Sequence, residues 1–170
     1  MPSSLNLGRL YEDHGQALFA FLLNLTRSES DTRDLLQDLL IKLAKHPGLL
    51  DGVRDQRAFL IRLAHNLAID QIRRRGTREK NYGQLAGESA SVFSASVDLD
   101  EQAFRQALAD ALGELPPEQR AVVHLKLWEG MIFEAIAEAL NIPLNTAASR
   151  YRYGLDKLRE RLRPLYEEIK

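Results

Sequence analysis

Residues 115–162, LPPEQRAVVHLKLWEGMIFEAIAEALNIPLNTAASRYRYGLDKLRERL, decide the fold. Pro116 and Pro117 stand at the first turn of a helix predicted over 118–128, where a missing backbone N–H costs nothing. Glu129-Gly130 ends that helix. A short helix over 133–140 then carries Phe133, Ile136, Ala137 and Leu140 at i, i+3, i+4 and i+7, which is one helical face. Asn141-Ile142-Pro143 reads as a turn, because Asn tolerates the left-handed conformation and Pro donates no helical hydrogen bond. A last helix starts near Leu144 and runs into the C-terminal segment. A short helix, a tight turn and a longer second helix make a helix-turn-helix, in which one helix braces and the next enters a major groove.

Composition bounds the remainder. A chain of 170 residues, 45% hydrophobic and 28% charged, describes one globular domain or two small ones. No apolar run approaches the roughly 20 residues of a membrane helix, so no membrane insertion is expected. Glu12, Asp13 and His14 interrupt the N-terminal segment, which argues against a signal peptide and makes the cytoplasm the expected location. The absence of cysteine excludes disulfides and thiolate metal sites. His14, His46, His65 and His124 show no ligand spacing and read as surface or partly buried residues, so neither a metal site nor a cofactor is expected.

Net charge is only −1, which argues against holding DNA mainly by the chain's own electrostatics. Its distribution is more telling. Residues 61–80 carry six Lys/Arg against two Asp/Glu, residues 81–118 one against seven, and residues 150–163 six against two. Two basic patches separated by an acidic segment predict two nucleic-acid contacts joined by a connector. Residues 76–97, with Gly76, Gly83, Gly87 and the stretch GESASVFSAS, lack helical apolar periodicity and read as an exposed linker anchored only by Phe93.

Upstream, three helices are predicted. One spans 7–26. The next is capped by Ser30 or Asp31, has Leu35, Leu36, Leu39, Leu40 and Leu43 on its apolar face, and stops at His46-Pro47-Gly48. A loop over 49–54 leads to the third, from about 55 to 75. No stretch alternates at period two. The expected fold is therefore all-α: two small helical bundles joined by a flexible linker, the second containing the helix-turn-helix.

Three blocks, in order, then carry a family resemblance. DLLQDLLIKLAK (34–45), RAFLIRLAHNLAIDQIRRR (57–75) and the segment 115–162 are together similar to the bacterial RNA polymerase sigma factors of the extracytoplasmic-function group, in the sigma-70 superfamily. Each block alone is moderately specific; three in this order and spacing are strongly so. The resemblance implies a region 2-like domain over 1–78, a linker over 79–100 and a region 4-like domain over 101–170. It implies a transcription initiation factor, not an enzyme, whose partners are core RNA polymerase (the β′ clamp and the β flap) and promoter DNA. Regulation would come from outside, most often in this family from an anti-sigma factor.

Site residues follow from the same match. Asp34 and Asp38, at i and i+4 beside Gln37, would face the clamp coiled coil; without the match they make an ordinary solvated acidic face. Arg62, Asn66, Arg73, Arg74 and Arg75 would engage the −10 element. Asn66 would hold a flipped base by its edge, with the loop over 49–54 as the opposite wall. Thr146, Ser149, Arg150, Arg152 and Tyr153 would read the −35 element, with Tyr151 packing inward. In the linker, Asp98, Asp100 and Glu101 would mimic RNA charge near the exit path.

The chain also departs from the family. Asp38 replaces a usual Glu, Phe59 a frequent Trp, Ile132 the hydroxyl residue that caps the short helix, and Ala148 a basic residue of the recognition helix. Two other readings stay open at this point. One is a stand-alone helix-turn-helix regulator, which would need a dimer interface. The other is a polymerase-binding decoy that has lost promoter reading.

Overall fold

A computed structural model describes residues 5–82 and 99–169, and in them seven α-helices and one short 3-10 helix. Helix α1 (Leu7–Thr26) is capped by Asn6, whose side chain accepts from the Arg9 N–H at 3.1 Å. It ends at Arg27, a non-glycine residue in the left-handed region with φ 62°. Helix α2 (Glu29–Lys45) starts earlier than expected. Ser28, not Ser30 or Asp31, is the cap, with extended backbone and its hydroxyl accepting from the Asp31 N–H at 3.3 Å. Asp31 becomes a buried residue of the first turn, where the helix dipole favours a carboxylate. Pro47–Leu50 forms the 3-10 turn inside what reads as loop from sequence.

Helix α3 (Gln56–Tyr82) runs seven residues past its expected end at Arg75. Gly76 lies within it; an interior glycine costs about 1 kcal/mol against alanine, which a long helix of good formers tolerates. The expected linker over 79–100 is thus helical at both ends. Residues 83–98, with Phe93 and Asp98, lie outside the described residues.

The linker's acidic end opens a helix that the sequence reading does not include. Helix α4 (Leu99–Glu114) contains Asp100 and Glu101 in its first turn and presents Leu108, Ala111 and Leu112 inward. Helix α5 (Pro117–Leu127) has proline in its first turn, as expected. Helix α6 (Phe133–Leu140) and its turn also match expectation: Asn141 has φ 57°. Helix α7 (Leu144–Ile169) completes the helix-turn-helix. Its approach to α5 is set by Gly154, where a Cβ would lie 2.7 Å from Val123 Cγ2. The described chain is all-α, in two helical regions (α1–α3 and α4–α7).

The two regions share a core. Phe21, Leu22 and Leu25 of α1 and Leu60, Ile61, Ala64 and Ala68 of α3 form one buried cluster with Val122 and Leu125 of α5 and Ile136 and Leu140 of α6. A smaller cluster (Ala111, Leu112, Leu115, Val123 and Leu158) belongs to the C-terminal region alone. Burying Phe21, at 1% exposure, between the regions is worth about 2–3 kcal/mol in transfer free energy. The two bundles are therefore packed on each other, an arrangement on which the sequence pattern is silent.

Candidate functional site

Helix α2 divides cleanly. Leu35, Leu36, Leu39 and Leu43 are buried, while Asp34, Gln37 and Asp38 are exposed on the opposite side. One turn further on, Ile41 adds an apolar side chain at 45% exposure. The result is an acidic face with an apolar edge, presented outward by a helix whose back is fully packed.

Helix α3 treats its five candidate residues very differently. Asn66 is exposed, as a base-reading amide requires. Arg74 makes only a surface i,i+4 pair with Asp70 at 2.5 Å, worth a few tenths of a kcal/mol. Arg73 lies 4.0 Å from Glu118 of α5. Arg75 grips the buried Asp31 with both terminal nitrogens, Nη2 to Oδ1 at 2.7 Å, and so ties the end of α3 to the start of α2. A fork on a buried carboxylate is a structural bond, because losing it would leave Asp31 unpaired. Arg62 reaches across to the C-terminal region. Its Nε donates to the Ala139 carbonyl at 3.0 Å and its Nη2 to the Glu138 carbonyl, both at the end of α6.

On α7, Arg152 and Tyr153 are exposed, with the guanidinium 5.4 Å from the ring centroid, a cation–π distance. Thr146, Ser149 and Arg150 are half-buried. Tyr151 packs edge-on against Phe133 at 5.4 Å, inward as expected. Ile132 stands at the N-cap of α6 with no side-chain cap hydrogen bond and 60% exposure, so the short helix does begin without a hydroxyl cap.

Other groups that join the two regions were missed by sequence reasoning. Arg120 of α5, 5% exposed, donates Nη1 to the Asn24 and Leu25 carbonyls at the end of α1 (2.9 and 2.6 Å) and Nη2 to the Leu115 carbonyl at 3.0 Å. Burial, with Arg27 nearby, lowers its pKa to about 10, so it stays charged at neutral pH. Arg27 donates to the Ala109 carbonyl and lies over Gly113, whose absent Cβ would stand 3.4 Å from the guanidinium. Arg57 of α3 pairs with Glu129 at 2.8 Å and also donates to the Glu129 carbonyl at 2.7 Å. None carries a local signal, since each acceptor lies far away in sequence or on the backbone.

Two histidines expected to be surface or partly buried residues, His65 and His124, are buried at 9% and 3% exposure. His124, 3% exposed, packs on Phe21 and stacks on Trp128 (centroids 5.5 and 5.6 Å). The Asn24 amide donates to its Nδ1 at 2.8 Å, which leaves the neutral ring's proton on Nε2, 3.9 Å from Glu129 Oε1. Burial lowers its pKa to about 4. His65 is also lowered by burial, opposed by Glu118 and by a side-chain hydrogen bond with Asn66, and helped by the positive charges of Arg150 and Arg73.

Among the described residues no helix is long and apolar enough to cross a membrane, and no cluster of three potential metal ligands occurs. Comparison with known proteins agrees with the geometry. The family profile of sigma-70 region 2 matches residues 10–78, and that of sigma-70 region 4 matches residues 105–158. The ECF RNA polymerase sigma factor SigL of Mycobacterium tuberculosis is 32% identical over 158 residues, 92% of this chain and 88% of the relative. The RNA polymerase sigma-E factor of Streptomyces avermitilis is 36% identical over 137 residues, covering 78% and 71%. Among solved structures, the sigma factor RpoE from Bartonella quintana, in complex with the anti-sigma factor NepR, superimposes with a TM-score of 0.76 at 25% identity over 92% of this chain and 96% of that one. A region 2 helical unit ahead of a region 4 helix-turn-helix, with relatives spanning nearly the whole length, leaves one assignment: the chain belongs to the extracytoplasmic-function RNA polymerase sigma factors of the sigma-70 family.

Proposed function

We propose that this sigma factor divides its work among three faces. The α2 face (Asp34, Gln37, Asp38) docks on the basic coiled coil of the polymerase β′ clamp. The α3 face, led by Asn66, receives an unstacked −10 base, with Arg62, Arg73 and Arg74 as its basic surround and Arg75 tying α3 to α2 beside them. The first turns of α7 (Thr146, Ser149, Arg150, Arg152, Tyr153) enter the −35 major groove, while the same region meets the β flap. The domains run over 1–78 and 101–170, joined by the segment 79–100. Binding polymerase and recognising promoters are the properties of the family; the allocation to these residues is the reading offered here.

The observation that carries it is the exposure of Asp34, Gln37 and Asp38 on one helix and of Asn66 on the next, with the leucines of α2 fully packed behind. Asn66 is exposed on the helix that lies within the region 2 match. Control by an anti-sigma protein fits this reading, since the Bartonella quintana relative was solved bound to one. The test is run-off transcription with purified core enzyme on a genomic fragment library. Discrete transcripts that require both core and this chain are expected. Core-independent, sequence-specific DNA binding would contradict the proposal, and so would polymerase binding with no transcript.

A further inference from the structure

Asp31, Asp34 and Asp38 stand at i, i+3 and i+7 on α2, along one flank of the helix. Asp34 and Asp38 are exposed, while Asp31 is buried and held by Arg75. The backbone under Asp31 is fixed as well. Its N–H is tied to the Ser28 hydroxyl at 3.3 Å. The adjacent Thr32 hydroxyl donates to the Ser28 carbonyl at 2.8 Å and meets the Thr26 hydroxyl at 2.8 Å. Side chains thus brace the start of α2 on the end of α1, and Asp31 offers Arg75 a stationary target.

Arg75 leaves α3 on the side away from Asn66. It follows Ala64 and Ala68 by eleven and seven residues, in the register of the buried face. The nine residues from Asn66 to Arg75 are two and a half turns, whereas Arg62 and Arg73 share the side of Asn66. The core behind α2 and α3 is built mainly of leucine and alanine, which attract without direction. A guanidinium fork fixes distance and orientation together. From this geometry we infer that Asp31 is a positioning residue for promoter opening. Through Arg75 it sets α3, and with it Asn66, in a fixed register to the polymerase-docking face of α2. Docking of α2 on core enzyme then places the −10 face of α3 directly. Arg75, with its fork occupied by Asp31, takes no phosphate. The inference rests on the assignment of α2 to polymerase and of Asn66 to the −10 base, and its test separates the claims.

The experiment reads strand opening by permanganate reactivity of unpaired thymines on a duplex promoter, with the full chain bound to saturating core enzyme. Asp31→Asn, nearly isosteric but uncharged, should lower opening about tenfold, the scale of one lost charged hydrogen bond. It should compete for core enzyme as the parent does. Arg75→Gln should show the same defect, and the double variant should be no worse than either single one, as for two residues that act through one contact. Arg75→Lys, which keeps the charge and loses the fork, should open DNA no better than Arg75→Gln. These two Arg75 variants decide the question if Asp31→Asn loses helical content. Thr32→Val removes the neighbouring hydroxyl bonds without touching Arg75, so it should lower the thermal midpoint and leave opening at the parental level. Normal opening by Asp31→Asn and Arg75→Gln overturns the inference. So does an equal defect in Thr32→Val, which would reduce the fork to fold stability. A further loss in the double variant also overturns it, since Arg75 would then meet DNA on its own. Asn66→Ala is measured beside them. A defect in Asn66→Ala alone leaves the −10 assignment standing without the inference, and normal opening by Asn66→Ala removes both.

Discussion

Helices α2 and α3 look alike in sequence: both pack leucines on one side and carry charges on the other. The structure treats those charges in opposite ways. On α2 the carboxylates of Asp34 and Asp38 face outward from a packed helix. On α3, Arg62 holds the end of α6, Arg75 holds Asp31, and Arg73 sits near Glu118, while Asn66 and Arg74 remain outermost. A charge at helical spacing therefore announces a surface, but whether that surface is offered to a partner or used within the chain depends on remote backbone. Long arginines reach carbonyls that a short aspartate, itself an acceptor, has no use for.

The contrast can be broken from the α2 side first, where the effect should be largest. Asp34→Lys together with Asp38→Lys places like charges against a basic coiled coil and should weaken binding to core polymerase by several kcal/mol, with helical content unchanged. Competition against the parent chain for limiting core enzyme measures it. Equal competition would mean that the acidic face is ordinary solvated surface.

The junction where α1 meets α5 is sharpened by pH. His124 has its pKa lowered by burial to about 4, below the usual value of 6.5, so the packed arrangement excludes its charged form. The stability this provides is complete above pH 6.5 and is lost as pH falls toward 4, because opening takes up the proton. By pH 5 the loss should be about 2 kcal/mol, with His65 shifted in the same direction. Glu129, 3.9 Å from Nε2, is the carboxylate placed to soften the effect; Asn24 bears on Nδ1, and Arg57 already occupies Glu129. Urea midpoints between pH 7.5 and 5 should fall in the parent and fall less in His124→Gln. A parallel fall in both would place the titration elsewhere.

A smaller effect is expected where α6 begins. Ile132→Ser supplies the missing cap hydroxyl and removes an apolar side chain that is 60% exposed, so the chain should gain about 1 kcal/mol. A thermal midpoint that does not rise would show that Ile132 packs more usefully than its exposure indicates.

How much of this was legible in the sequence follows the range of each interaction. Helices α1 and α6, the Asn141 turn and the inward Tyr151 follow from helical spacing along the chain, and the pattern gives them directly. The cap of α2 moved to Ser28 because Ser28, Ser30 and Asp31 are all competent caps, and only the buried pair of Asp31 with Arg75 decides among them. Helix α4 had a signal in Leu108, Ala111, Leu112 and Leu115 at helical spacing, obscured by the acidic and Ser-rich run before it. The site was half legible. Exposure of Asp34, Asp38 and Asn66 follows from helical phase. The engagement of Arg62 does not, because its acceptors are backbone oxygens 76 and 77 residues away.

The division of labour between α3 and α7 is the central claim, and a pre-melted promoter tests it most directly. Arg150→Ala should cost about 1–3 kcal/mol in reading duplex −35 DNA, whatever the state of the −10 region. Asn66→Ala should spare duplex binding and impair strand opening. On a template carrying a bubble over the −10 element, the yield of abortive transcripts should recover, at least in part, for Asn66→Ala and stay depressed for Arg150→Ala. Equal recovery of both variants, or of neither, would contradict the assignment of the two helices to separate tasks.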